Sequence, residues 1–162
     1  MEPDKLSLDI IDRYLEQELL MASLYGSYAK FYTEHKNFWA SLVDEELEHA
    51  SWIKHFQNSL PLDKISFLEG KTRISALDSS IVYLKGIINE FDKNPLGQLK
   101  AVSICLDLER SLIERNVFKH FESDSSEVKK ILGVLRDAQE EHVKKIEQFM
   151  AEVRKEQTGR VF

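Results

Sequence analysis

The sequence predicts an all-α fold: an antiparallel four-helix bundle whose long crossover carries a shorter extra helix. Three observations predict it. Apolar residues recur three and four apart through four long segments. Only 6 Gly and 3 Pro punctuate the 162 residues, too few for many short strands. Two short connections and one long one separate the four segments, the spacing of two antiparallel hairpins joined by a crossover. The length fits one domain, with residues 1–156 as the bundle and 157–162 as a loose tail.

The first helix is expected from about Leu6 to Tyr32, with Ser7 and Asp9 as capping residues. Its inner stripe reads Ile11, Leu15, Glu18, Ala22, Tyr25, Ala29, Tyr32. The second runs from about Asn37 to Leu60 and stops before Pro61, with stripe Leu42, Glu46, His49, Ile53, Phe56, Leu60. Residues 61–73 read as irregular, and a shorter helix follows from about Ser75 to Phe91, entered through Ser75 or Asp78. The third long helix starts near Pro95, a residue favoured at a first helical position. Its stripe is Leu99, Val102, Leu106, Glu109, Ile113, Asn116, His120. The fourth starts at the serines of 123-SDSSEV-128, with stripe Val128, Leu132, Leu135, Gln139, His142, Ile146, Phe149, Val153. A weak internal repeat sets 15-LEQELL-20 over 106-LDLERS-111 and 43-VDEELEH-49 over 136-RDAQEEH-142. Two similar hairpins would bring both His-bearing helices to one centre.

Composition narrows the function. Hydrophobic residues at 43% and charged residues at 31% mark a globular chain. The net charge of -6, with no basic stripe, argues against nucleic acid as a partner. No apolar run approaches a membrane span and no signal peptide is evident, so no membrane partner is expected. The single Cys105 excludes an internal disulfide and a Cys-x-x-Cys metal knuckle, and a reducing cytoplasmic setting is expected.

Each inner stripe is broken by polar residues at one level: Glu18, Glu46 with His49, Glu109, and Gln139 with His142. Buried carboxylates converging in this way cannot all stay ionised unaided. Two cations would remove the repulsion and give the imidazoles partners. Glu46 and His49 stand three apart and so point to one side of their helix. A Glu from one helix with a Glu-x-x-His from its neighbour is the ligand set of carboxylate-bridged di-iron centres. Iron is the expected cofactor, two ions per chain, with Mn or Zn as substitutes.

The stretches 16-EQELLMASLY-25, 46-ELEH-49, 107-DLERSLIE-114 and 139-QEEH-142 together resemble the rubrerythrin-type branch of the ferritin-like superfamily, over nearly the whole chain. The resemblance implies a di-iron protein, often dimeric, that reacts with hydrogen peroxide or dioxygen as a peroxidase or ferroxidase. It also implies metal ligands at Glu18, Glu46, His49, Glu109, Gln139 and His142. Three departures stand against the family pattern. The 162 residues carry no Cys-rich electron-transfer segment, so the electron donor is expected to be a separate protein. Leu112 stands where peroxide-reducing members carry a further Glu. Gln139 replaces a ligand Glu, and a neutral amide stabilises ferric iron poorly, which weakens the second metal position.

The remaining polar residues have plainer expectations. Asp44, Glu45, Glu48, Glu140 and Glu141 fall off the stripes as solvated charges, with Asp44 or Asp137 as an outer partner for a metal-bound imidazole. Tyr25 and Tyr32 are core aromatics, a Tyr25 hydroxyl donating to a site carboxylate being the functional alternative. Cys105 is a small buried residue, Asn116 and His120 form a polar end, His35 lies in a loop and His55 faces outward. Two other functions compete with the oxidoreductase: metal binding without turnover, and a structural bundle with a degenerate site.

Overall fold

The computed structural model describes residues 5–59, 66–67, 70–115, 121–122 and 125–159. Five helices pack against one another: α1 Lys5–Phe31, α2 Lys36–Ser59, α3 Gly70–Lys93, α4 Gln98–Arg115 and α5 Ser126–Gly159. Two two-residue strands, β1 Ser66–Phe67 and β2 Phe121–Glu122, pair antiparallel between the α2–α3 and α4–α5 connections. Among the described residues, no helix is long and apolar enough to cross a membrane.

A 3-10 turn, Thr33–His35, joins α1 to α2, closed by the His35 amide donating to the Tyr32 carbonyl at 3.1 Å. So tight a connection folds α2 back along α1, and Gln57 near the end of α2 reaches Asp12 near the start of α1 at 2.6 Å. Helix α3 runs parallel to α1, since Arg13 meets Asp78 at 2.7 Å and Glu16 meets Lys85 at 3.1 Å. Helix α4 turns back, with Tyr32 donating to the Leu96 carbonyl at 2.5 Å and Tyr25 to Glu109 further down. Helix α5 then lies antiparallel to α2: the Phe38 and Phe149 rings stack 3.6 Å apart, and Lys145 reaches both Ser41 and Glu45.

The apolar stripes form two clusters. One gathers Met21, Tyr25, Tyr28, Trp39, Leu42, Leu84, Phe91, Val102, Ile146 and Phe149, among others. The other gathers Ile10, Tyr14, Ile53, Phe56, Leu77, Val128, Leu132 and Leu135. Between them lies the level of Glu18, Glu46 and Glu109.

Several elements differ from the sequence expectation. Helix α3 has 24 residues, as many as α2, and is not a short insert. Its own seam, Ile74, Leu77, Ile81, Leu84, Ile88 and Phe91, alternates three and four and packs against both clusters. Residues 70–73, read as irregular, are its first turn. Helix α4 begins at Gln98, not near Pro95: the first helical bond is the Ala101 amide to the Gly97 carbonyl, while the Leu96 carbonyl is taken by Tyr32. Helix α5 continues to Gly159, so residues 157–159 of the expected tail are helical. His35 lies in the α1–α2 connection, as expected, with its Nε2 3.1 Å from Glu156 and its Nδ1 2.9 Å from Gln98 Nε2. Readings that fall on Leu60, Pro61, Asn116, His120, Ser123, Asp124 and residues 160–162 lie outside the described residues.

Leu84 is fully buried on α3, packed in the larger cluster beside α1. Leu84→Ala is expected to lower stability by about 2–5 kcal/mol in urea denaturation, the range for a buried leucine leaving a cavity. A loss below about 1 kcal/mol would mean that α3 is not an integral part of the core.

Candidate metal centre

Helix geometry turns one side chain in three or four inward, and the sequence places polar groups at those positions in one layer. Glu18 comes from α1, Glu46 and His49 from α2, Glu109 from α4, Gln139 and His142 from α5. All six are between 0 and 7% exposed. The structure brings five of them into two groups that share Glu46, and Gln139 joins through its contact with Glu109. In the first group, His49 Nδ1 lies 3.4 Å from Glu18 Oε2 and 3.5 Å from Glu46 Oε2. In the second, His142 Nε2 lies 2.8 Å from Glu46 Oε1 and 3.0 Å from Glu109 Oε1. One ligand atom from each of Glu18, Glu46 and His49 falls within 4.8 Å of the others, as does one from each of Glu46, Glu109 and His142. Either group of buried Glu and His could hold a metal ion.

The two halves differ in how their oxygens are satisfied. Glu109 is clamped: the Tyr25 hydroxyl donates to Oε1 at 2.6 Å and the Gln139 amide to Oε2 at 2.5 Å. His142 Nε2 adds a third contact on Oε1. Glu18 Oε2 and both oxygens of Glu46 are buried and have no hydrogen-bond partner among the described residues. The close approach of His142 Nε2 to Glu46 lacks hydrogen-bond geometry, because the same N–H points to Glu109. Buried acceptors without donors are costly, and a cation at their focus would satisfy them.

Tyr25 is a buried core aromatic as the sequence suggests, and its hydroxyl also takes the alternative role of donor to a site carboxylate, whereas Glu45 was missed. Glu45 is half-buried, and its Oε2 lies 3.1 Å from His142 Nδ1 while Lys145 holds Oε1 at 3.2 Å. It therefore orients the ring so that Nε2 faces the centre, the outer-partner role assigned by sequence to Asp44 or Asp137. Both of those are exposed. The signal lay across helices: α2 and α5 run antiparallel, so a residue next to Glu46 meets the residue three before Lys145. Gln17 was also missed; it is buried and its amide nitrogen donates to Ser80 at 3.2 Å, linking α1 to α3. Glu48, Glu140 and Glu141 are exposed as expected, and so is His55.

Charge in the layer is shared unevenly. Burial, together with the neighbouring Glu18 and Glu109 charges, pushes the Glu46 carboxyl well above its usual range. Burial would raise Glu109 too, but the His142 charge and the hydrogen bonds outweigh it and hold Glu109 down at about 2. Burial would lower both imidazoles, yet the carboxylates outweigh it: His49 is held up at about 10, and His142 is raised further. Burial also raises the Tyr25 hydroxyl, helped by the Glu109 charge, so it remains a donor. Glu46 and both imidazoles therefore hold their protons more tightly than they would in water. A cation would displace these protons, because ligands bind deprotonated.

No family model matches the chain, and neither a curated protein nor a solved structure matches it.

The shifts set a pH profile for the metal-free protein. His49, at about 10 folded against 6.5 unfolded, contributes stability that is full below 6.5 and lost as pH rises through 10. Glu109, at about 2 against 4.5, contributes stability that is full above 4.5 and lost as pH falls through 2. Melting temperature in chelator is thus expected to be highest between these windows and to fall on both sides. In His49→Gln the alkaline limb should become shallower; an unchanged limb would separate His49 from the two carboxylates.

Proposed function

We propose that this chain is a ferritin-like protein of the rubrerythrin type, in which α1, α2, α4 and α5 form a four-helix bundle and α3 is the crossover. We further propose that it holds two iron ions and reacts with peroxide or dioxygen. The observation that supports this most is the pair of buried Glu and His groups sharing Glu46, with carboxylate oxygens that lack donors. Glu18, Glu46 and His49 would hold one ion; Glu46, Glu109 and His142 the other. Three carboxylates and two imidazoles suit iron, with manganese or zinc as competitors.

When bound, a ferrous pair supplies one electron per ion, enough with two protons to cleave one peroxide O–O bond to two waters. The chain's own residues do the rest. Glu46 spans both positions from the middle of α2. Glu45 accepts from His142 Nδ1 and keeps Nε2 turned inward. Tyr25 and Gln139 fix the Glu109 carboxylate, and the apolar clusters on either side keep bulk water out. A separate electron-donor protein, a homodimer and a cytoplasmic setting belong to the same reading.

A second reading, metal binding without turnover, is favoured by Gln139. Its amide occupies Glu109 Oε2 as a donor, so it lends the second position no negative charge. In this reading the ion nearest Glu46 and His49 is held firmly and the position near His142 is labile. Loss of both positions would leave a structural bundle working through partner contacts.

Four substitutions divide these readings. Glu46→Ala or His49→Ala is expected to lower iron or manganese content at least tenfold, while Glu48→Ala leaves equilibrium content unchanged. Equal metal content in all three variants, measured by elemental analysis, would place the site elsewhere. Gln139→Glu replaces the amide donor by a fourth carboxylate and should raise content from about one towards two metals per chain. A parent already holding two equally tight ions would show that another group supplies the missing charge. A Gln139→Glu variant that binds none would favour the structural reading.

A further inference from the structure

One pocket reaches the polar layer from outside. It opens between α2 and α5, holds about 180 Å³, and is lined by both His49 and His142. That is room for about six waters at roughly 30 Å³ each, the size of a small hydrated cation. Three other surface pockets contain none of the six layer residues. The His49 and His142 rings meet edge to face, with centroids 5.6 Å apart, and form the inner end. Three carboxylates line the wall and mouth: Glu45, half-buried, and Glu48 and Glu141, both exposed. No Lys or Arg is among the lining residues; Lys145 contacts Glu45 at 3.2 Å and Lys144 contacts Glu141 at 3.4 Å from outside the lining.

We propose that this pocket is the route by which divalent cations enter the paired Glu and His site, with Glu48 and Glu141 collecting them at its mouth. The proposal rests on the metal-binding reading above. Net negative charge at the mouth, where Glu48 and Glu141 outnumber the one Lys144 that contacts Glu141, concentrates cations and raises their association rate, and it does nothing for a neutral oxidant. Inside, oxygen donors replace hydration waters as the cation descends, first Glu45 and then the buried Glu18 and Glu46 oxygens that lack partners. The imidazoles complete the exchange, since both border the pocket and both face the carboxylates. The rim residues thus act on the rate of loading and not on its end point, consistent with the exposure of Glu48 and Glu141.

The test is stopped-flow uptake of Co2+ by the full metal-free chain, followed by the visible absorbance of the bound ion. The double variant Glu48→Lys/Glu141→Lys should bind Co2+ about tenfold more slowly at low salt. The difference should vanish near 1 M salt, where screening acts within about 3 Å. Final stoichiometry and spectrum should match the parent. Ala138→Phe, which narrows the pocket without changing charge, should slow uptake at every salt concentration. Association rates equal to the parent's in both variants, or a slowing in the charge-reversed protein that persists in high salt, would overturn the route. A parent that takes up no Co2+ would instead remove the metal-binding reading, and the route with it.

Discussion

Between two apolar clusters, this chain buries three carboxylates and two imidazoles in a single layer, and their mutual compensation governs the fold around them. Ionised groups out of water are tolerated only where opposite charges and hydrogen-bond donors are fixed against them. The layer draws on α1, α2, α4 and α5, so each helix must present a particular residue at a particular height. Slipping any one by a turn would leave a buried charge without its counterpart. Apolar stripes alone permit several registers; the polar layer selects one. The surface ion pairs, such as Arg110 with Glu147 at 3.0 Å, are about half exposed and add little to that choice.

Compensation within the layer is lopsided, and the asymmetry carries chemical meaning. Glu109 receives hydrogen bonds from Tyr25, Gln139 and His142, while Glu18 has only His49 at 3.4 Å and Glu46 has His49 at 3.5 Å and His142 at 2.8 Å without hydrogen-bond geometry. One side is preorganised by protein donors, and the other keeps its oxygens open. Open, converging oxygens are poor for stability and suited to a cation. Gln139 brings no negative charge to the layer and uses its amide to immobilise a neighbouring carboxylate.

Much of this was legible in the sequence because helices repeat. A stripe of alternating threes and fours shows which residues face inward, and a polar residue on such a stripe is conspicuous; all six of Glu18, Glu46, His49, Glu109, Gln139 and His142 were found in this way, and all six are buried together. Glu45 was not legible, because its role depends on α5 crossing beside it, and within α2 it reads as one more acidic surface residue. The extent of α3 was obscured by Gly70 and the polar residues after it, although its seam from Ile74 onward carries the same alternation. The start of α4 depended on a long-range bond from Tyr32 to the Leu96 carbonyl, which no local preference for Pro95 reveals.

The order of the elements along the chain gives the two halves of the layer different histories. Glu18, Glu46 and His49 all belong to the first hairpin, α1 and α2, joined by a three-residue turn. Their association needs only local chain reversal, and they are made before any of α4 or α5. The second group borrows Glu46 from that hairpin and adds Glu109 and His142, so it forms only after the later helices have docked. During synthesis from the N-terminus, the residues of this first group are therefore complete while Glu109 and His142 are still to be made. The same residue, Glu46, that closes the first group is the template on which the second is assembled.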